Sequence, residues 1–466
     1  MLTYTLNDDC STSLYEQLYE LIKSDILSGN LKKDAKLPSI RSFSKNLGIS
    51  TITVKNTYTQ LVSEGYLYSL EKKGYFVSDI SINIKQSLNS SKTSLTKQKS
   101  SSKYFADFVS NQINQDNFPF SIWAKLMREI ITDKNEDLLK VIPAQGIIEL
   151  REAISKYLYE FRGMQVDVDQ IIIGAGTEYL YGLIIQLLGR DKVFAVEDPG
   201  YQIISKIYEV NDVSLKYIPL DSTGIDMDKL EESNADIIHI SPSHHYPTGI
   251  VTPITKRYEL LSWASKKDSR YIIEDDYDSE FRLIGKPIPA LQSIDIIDKV
   301  IYINTFSKSL SPAFRISYMV IPKQLLKIFN ERLSFYSCTV SSFEQYTLAK
   351  FISDGYFEKH INRMRVFYRN QRDLILKYLN ESPISKSIII NEENSGLHFL
   401  LKLNTNISDD EIIEKAKEKG IKISFLSEYY HNKDLVRKHV IVINYSGIEK
   451  DRIKQAIDKL TNIIKN

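Results

Sequence analysis

Cysteine is nearly absent from this chain: Cys10 and Cys338 are its only two in 466 residues. That excludes a disulfide scaffold and any cysteine-rich zinc site. Long apolar runs are missing too, and no stretch approaches the ~18 residues that a membrane-spanning helix needs. The opening MLTYTLNDDC is acidic and has no apolar core, which predicts no secretory signal there. Charge of one sign is also lacking. Lys and Arg number 60 against 59 Asp and Glu, a formal net charge of +1, so the molecule as a whole has no bias toward polyanions. These absences predict a soluble, cytoplasmic protein with no membrane contact and no metal centre.

What is present is ordinary globular material, 42% hydrophobic and 26% charged. The length exceeds the ~100–200 residues of one compact domain. Another absence marks the boundary. Residues 80–103, ISINIKQSLNSSKTSLTKQKSSSK, hold eight serines and five lysines without an acid, a glycine or a proline. Such a stretch predicts a flexible linker, spanning roughly 25–30 Å on average as a random coil. It divides the chain into an N-terminal unit (1–79), a linker (80–103) and a C-terminal unit (104–466). No internal repeat is visible.

Charge is uneven within the first unit. Residues 8–25 carry five acids and one lysine, whereas residues 32–73 carry eight Lys or Arg and three acids. LYEQLYELIKSDILSG repeats Leu14, Leu18, Leu21, Ile22 and Ile26 at helical spacing. IRSFSKNLG and STITVKNTYTQLVSEG read as two short helices joined at Gly48-Ile49, and YLYSLEKKGYFV as a hairpin turning at Lys72, Lys73 and Gly74. A helix, a helix-turn-helix and a β-wing make a winged helix. In that geometry the second helix of the pair enters the major groove of double-stranded DNA. Ser50, Thr51 and Thr53 cap it, and Thr51, Thr53, Lys55 and Asn56 face bases or phosphates. Arg41, Lys45, Lys72 and Lys73 suit phosphate contacts. A small protein-interaction domain is the other reading of this pattern. The run from LYEQ to EGYL, with LPSIR at Arg41, resembles the DNA-binding domain of GntR-type regulators nearly end to end. Thr51 departs from that family, which commonly carries an arginine there.

In the second unit, short β-rich runs alternate with helical patterns. QIIIGAG, KVFAVEDP, DIIHIS, RYIIEDDY, KVIYINTFS and ISYMVIP read as buried strands of a mostly parallel sheet. Ligands of such α/β sheets bind beyond the C-terminal ends of the strands. Asp275 and Lys308 both fall there. Taken alone, Lys308 and Arg315 in INTFSKSLSPAFRIS are two cations on a loop. With Asp275, Tyr277 and the strand-turn-helix GAGTEYL, they form a lysine, an acid and an anion cradle at a helix N-terminus, where Gly176 and Thr177 present N–H groups. Pyridoxal 5′-phosphate (PLP) needs all three.

EDPGY, SPSHHYPTG, EDDYDSEFR, TFSKSLSPAFR and SGLHFLL follow one another along the chain, and residues 105–466 resemble fold-type I aminotransferases. More narrowly they resemble the MocR branch of the GntR regulators, in which a winged helix is tethered to an aminotransferase-like domain. The resemblance implies a large domain near 140–325 and a small one near 326–466 that takes in the N-terminal segment. It implies an aldimine between PLP and Lys308, Asp275 at the pyridine nitrogen, and Tyr277 at the phenolic oxygen. Arg315, Thr305, Ser307, Gly176 and Thr177 would hold the phosphate. Tyr201 would stack on the ring, with His244 and Tyr246 along its edge. It further implies a homodimer with each winged helix near the opposite subunit.

Departures from the relatives bear on activity. Val442 stands where amino-acid-processing members carry a carboxylate-binding arginine. Ile203 and Glu428 stand where sensing members carry arginines, and Val141 replaces an aromatic. No carboxylate clamp is left. These departures predict at most residual transaminase activity. They also suggest either PLP itself or an amine as effector, contacted at Ile203 and Glu428. A working aminotransferase with an autoregulatory DNA reader is the alternative.

Overall fold

The computed structural model describes residues 2–7, 12–79, 104–110, 117–283, 288–392 and 396–465. Cys10, Ser395 and the linker 80–103 lie outside them. The chain separates into two compact units, Met1–Ser100 and Ser101–Asn466.

In the first unit, α1 (Leu14–Leu27), α2 (Ile40–Leu47) and α3 (Thr51–Ser63) precede a hairpin of β1 (Leu67–Leu70) and β2 (Gly74–Val77). Each helix starts on a serine whose Oγ accepts a first-turn N–H: Ser13 from Glu16, Ser39 from Ser42 and Ser50 from Ile52. Ser50 alone caps α3. Thr51 and Thr53, expected to share that task, are its first and third residues. Gly48 takes a left-handed φ of 70°, which lets α2 stop and the chain turn into α3 within three residues. Leu18, Ile22 and Ile26 of α1 pack with Phe43, Val54, Tyr58, Leu61, Leu67 and Val77. Of the other two apolar positions of that stripe, Leu14 is half-buried and Leu21 is 37% exposed.

The second unit begins with β3 (Ala106–Asp107) and continues through β4 (Ile171–Gly174), β5 (Val193–Asp198), β6 (Ser214–Asp221), β7 (Gly224–Ile225) and β8 (Ile237–Ile240). Then come β9 (Tyr271–Asp275), β10 (Val300–Thr305) and β11 (Ser317–Val320). Strands β4 to β11 form one sheet in the order β4-β11-β10-β9-β8-β5-β6-β7. The run from β10 to β6 is parallel, whereas β11 is antiparallel to both its neighbours and β7 to β6. Alternate residues feed opposite faces: Ile171 and Ile173 pack in one core, Ile172 in another.

A three-stranded antiparallel sheet follows, β12 (Ile388–Asn391), β13 (His398–Leu403) and β15 (Val440–Asn444). The long helix Tyr356–Glu381 and the final helix Ile453–Lys465 contribute buried residues to the same core as this sheet. Between β13 and β15, β14 (Ile421–Lys422) pairs in parallel with β3 and so ties the start of this unit to its C-terminal part.

Candidate functional site

Register brings the central pair together. β9 and β10 are parallel neighbours with Ile303 opposite Asp275, so Asp275 and the turn carrying Lys308 leave the same end of the sheet. Antiparallel β11 sets Ser317 opposite Gly174 and returns Arg315 beside the turn that starts the helix Thr177–Leu188. Gly176 has φ 92°, and a Cβ there would collide with the Arg315 guanidinium. Arg315 is itself left-handed at φ 51°, a backbone that costs a non-glycine residue about 1–2 kcal/mol. The guanidinium forms an ion pair with Glu178 at the helix start.

These side chains surround a cavity of about 450 Å³. Lys308, Asp275, Tyr277, Thr177, Thr305, Ser307, Arg315, Tyr201 and Tyr246 all line it. Thr305 Oγ1 donates to Ser307 Oγ at 2.9 Å and accepts from the Ser307 N–H and from Ser317 Oγ. Serine and threonine hydroxyls, an arginine and a helix N-terminus on one wall make an anion pocket. Lys308 has no hydrogen-bond partner among the described residues. Burial pulls its ammonium down to about 8, against the opposing pull of Asp278 and Asp275.

Asp275 is buried and asymmetric. Its Oδ2 accepts the Tyr181 hydroxyl at 2.5 Å and lies 3.6 Å from His239 Nε2, while Oδ1 is buried without a partner. Tyr277 OH meets His244 Nδ1 at 3.2 Å, and the same nitrogen is 2.8 Å from Asp278 Oδ2. Burial, reinforced by the Asp278 charge, keeps the Tyr277 phenol protonated far above neutral pH.

Four expected contacts fall elsewhere. Gly176 does not line the cavity, and its N–H is donated to Gly174 O at 2.9 Å. His244 stands behind Tyr277 and does not line the cavity. Glu428 belongs to a single 3-10 turn, Leu426–Tyr429, and its carboxylate turns back to accept the Phe425 N–H at 2.7 Å. Ile203 lies on the 38%-exposed side of the helix Gln202–Val210. Their immediate neighbours, Tyr429 and Ile204, line the cavity instead. Of the departures from relatives, Val442 is buried and Val141 exposed.

Two groups were missed. Tyr181 lies one helical turn after Thr177, on the same helix face, and that spacing is its signal in the sequence. His239, in DIIHIS, is a histidine inside an otherwise apolar buried strand, and that is its signal. Its Nδ1 meets Tyr208 OH at 2.7 Å.

In the first unit, Arg41, Lys45, Ser50, Thr51, Lys55, Asn56, Lys72 and Lys73 are exposed and Thr53 is half-buried. None of these cations has an ion-pair partner among the described residues. No helix among the described residues is long and apolar enough to cross a membrane.

The comparisons agree with both halves. Residues 14–77 match the family model of bacterial regulatory proteins, gntR family, and residues 105–460 that of aminotransferase class I and II. The chain is 37% identical to the uncharacterized HTH-type transcriptional regulator YdeL of Bacillus subtilis (strain 168), over 98% of each chain. It is 29% identical to the probable rhizopine catabolism regulatory protein MocR of Rhizobium meliloti, over 98% of this chain and 94% of that one. Among solved structures, kynurenine aminotransferase of Pyrococcus horikoshii superposes with a TM-score of 0.69 at 27% identity, covering 81% of this chain and 97% of that one. A gntR-type winged helix joined to a class I and II aminotransferase domain, matched end to end by relatives of the same build, makes this chain a member of the MocR-type transcriptional regulators.

Proposed function

We propose that the chain binds operator DNA through its winged helix and uses PLP, held in the second unit, to report the supply of that vitamer or of an amine effector. Asp275 carries the reading: one oxygen is engaged by Tyr181, the other is buried and unpaired, and the Lys308 amine lies on the next strand end. A buried carboxylate oxygen without a donor is costly unless a ligand supplies one, and a protonated pyridine nitrogen does so.

When bound, PLP supplies an aldehyde that condenses with amines and a ring that withdraws electrons. The residues divide the remaining work. Arg315, Thr177 and Ser307 receive the phosphate, and Gly176 stays bare so that the guanidinium can approach. Arg315, paired with Glu178 in this structure, would turn to the phosphate. Tyr277, held protonated by burial, would donate a hydrogen bond to the phenolic oxygen, with His244 and Asp278 behind it. Tyr201 and Tyr246 cover the ring. Lys308 would hold the cofactor through Nζ, and its depressed proton affinity, near 8, leaves roughly one amine in ten neutral at pH 7.

The regulator works in the cytoplasm as a homodimer, each winged helix tethered by the 24-residue linker near the opposite subunit. Two winged helices read two half-sites, and the ligand state of the second unit shifts the population able to reach both. The uncharged, buried Val442 supports at most residual transamination.

The test is Lys308→Ala with PLP in excess. The variant is expected to lose the ligand response of operator binding and transcription. A variant indistinguishable from wild type in both would sink the reading. Single-turnover formation of pyridoxamine phosphate at enzymatic rates would favour a working aminotransferase instead.

A further inference from the structure

A second chamber of about 200 Å³ adjoins the cofactor cavity. The two share Tyr201, Ile204, Ser241, Tyr246 and Tyr429 as walls. Between them the Tyr246 and Tyr429 hydroxyls meet at 2.8 Å, and Ser424 Oγ steadies Tyr429 OH at 3.1 Å. Two phenols joined by a hydrogen bond thus stand where the two spaces meet.

The chamber is built around Glu197, which is 9% exposed. Its Oε2 accepts the Ser241 N–H at 3.0 Å and lies 3.4 Å from His245 Nε2. His245 is anchored at its other nitrogen, 2.7 Å from Thr248 Oγ1. Glu197 Oε1 has no hydrogen-bond partner among the described residues. The other carboxylates of the lining are already engaged. Asp198 accepts the His431 and Asn432 N–H groups, and Glu209 accepts the Tyr217 hydroxyl. Lys206 is the lone Lys or Arg among the described lining residues, against these three acids. A carboxylate-bearing ligand finds no clamp here. A donor-rich cation finds a half-used buried carboxyl group.

We propose that this chamber receives the distal end of the effector, and that the effector is a short diamine: one amine at the Lys308 site, the second, protonated, on Glu197 Oε1. The inference rests on the reading of Lys308 and PLP as an amine sensor. It explains why no arginine replaces the lost carboxylate anchors. Burial raises the empty Glu197 carboxyl to about 8, so an ammonium arriving at Oε1 meets a group held neutral by lack of a partner and draws it into the charged form. His245, buried and lowered to about 3, stays neutral and does not compete as a cation.

The experiment titrates the PLP-loaded full-length protein with putrescine and cadaverine against butylamine and pentylamine. Cofactor absorbance and calorimetry are the two readouts. At least one diamine is expected to bind about tenfold or more tightly than the monoamine of equal length, the size of a charge-assisted hydrogen bond. Glu197→Gln is expected to erase that preference while leaving PLP loading and the monoamine response in place. Ser205→Phe, on the outer helix that lines the chamber, is expected to block diamines selectively and guards against a folding defect in the first variant. Equal binding of diamines and monoamines by the wild type, or no binding of either, overturns the chamber assignment while leaving PLP sensing intact. A preference that survives both variants overturns it as well. A protein that takes up no PLP overturns both readings at once.

Discussion

Tyr181 donates its hydroxyl hydrogen to Asp275 Oδ2 at 2.5 Å, and this bond turns the other carboxylate oxygen, Oδ1, into a buried acceptor without a donor. A helix residue thereby aims a strand residue. Tyr181→Phe is expected to weaken PLP binding by about ten- to a hundredfold, from the ~1.5–3 kcal/mol worth of a hydrogen bond to a charged group. Asp275→Ala should cost far more. Equilibrium dialysis of PLP against both variants checks the order.

Arg315 and the N-terminus of the helix Thr177–Leu188 address the phosphate and no other part of PLP. Arg315→Ala should therefore weaken PLP by about 2–3 kcal/mol yet leave the affinity for pyridoxal, which lacks the phosphate, nearly unchanged. Equal losses for the two ligands would mean that Arg315 supports the loop rather than the phosphate.

Lys308 reacts only as the neutral amine, and burial lowers its proton affinity to about 8. Because the charged form is the one disfavoured, the neutral fraction grows as pH rises and levels off above that value. The rate of PLP uptake by cofactor-free protein is expected to climb between pH 6 and 8 by roughly tenfold per unit at first, then to flatten. Stopped-flow absorbance reads it. A rate still climbing steeply at pH 10 would place the amine at its ordinary value.

Arg162 and Asp276 form an ion pair at 2.8 Å in which both side chains are 1% exposed. Arg162 also donates to Ile288 O, and Tyr302 donates to Asp276 Oδ2 at 2.6 Å. Removing one partner leaves an uncompensated buried charge. Arg162→Ala is expected to destabilise the second unit by about 3–5 kcal/mol, read from urea denaturation, with the first unit unaffected.

On the winged helix, Arg41→Ala and Lys45→Ala should weaken operator and random DNA alike and each lower the salt slope of binding by about one. Asn56→Ala should instead cost about 1–3 kcal/mol on the operator alone. Fluorescence anisotropy at two salt concentrations separates the two behaviours.

Much of this site was legible along the chain because its pieces are local. Apolar β-branched runs make the strands, and the residue where each run ends is the residue at the sheet's edge, so Asp275 and the Lys308 turn could be assigned to one end. The start of α3 was readable from its hydroxyl residues, although only Ser50 of the three candidates is its cap. At the effector end the expected residues stand one position from the cavity wall. Ile203 and Glu428 were expected at the effector, and Ile204 and Tyr429 line the cavity.

The sequence by itself determined the winged helix, the mostly parallel sheet and the lysine, acid and anion cradle at its edge, because each rests on short-range periodicity or on a strand's end. Tertiary structure decided which way Glu428 faces. A single 3-10 turn has no long apolar stripe to set its rotation, so packing and the Phe425 N–H set it instead. Tertiary structure also made the chamber at Glu197, whose walls come from β5, the end of β8 and the turn at Tyr429, Tyr430 and His431, far along the chain from both. Spacing along the chain carries no record of a space enclosed by segments that meet only when folded.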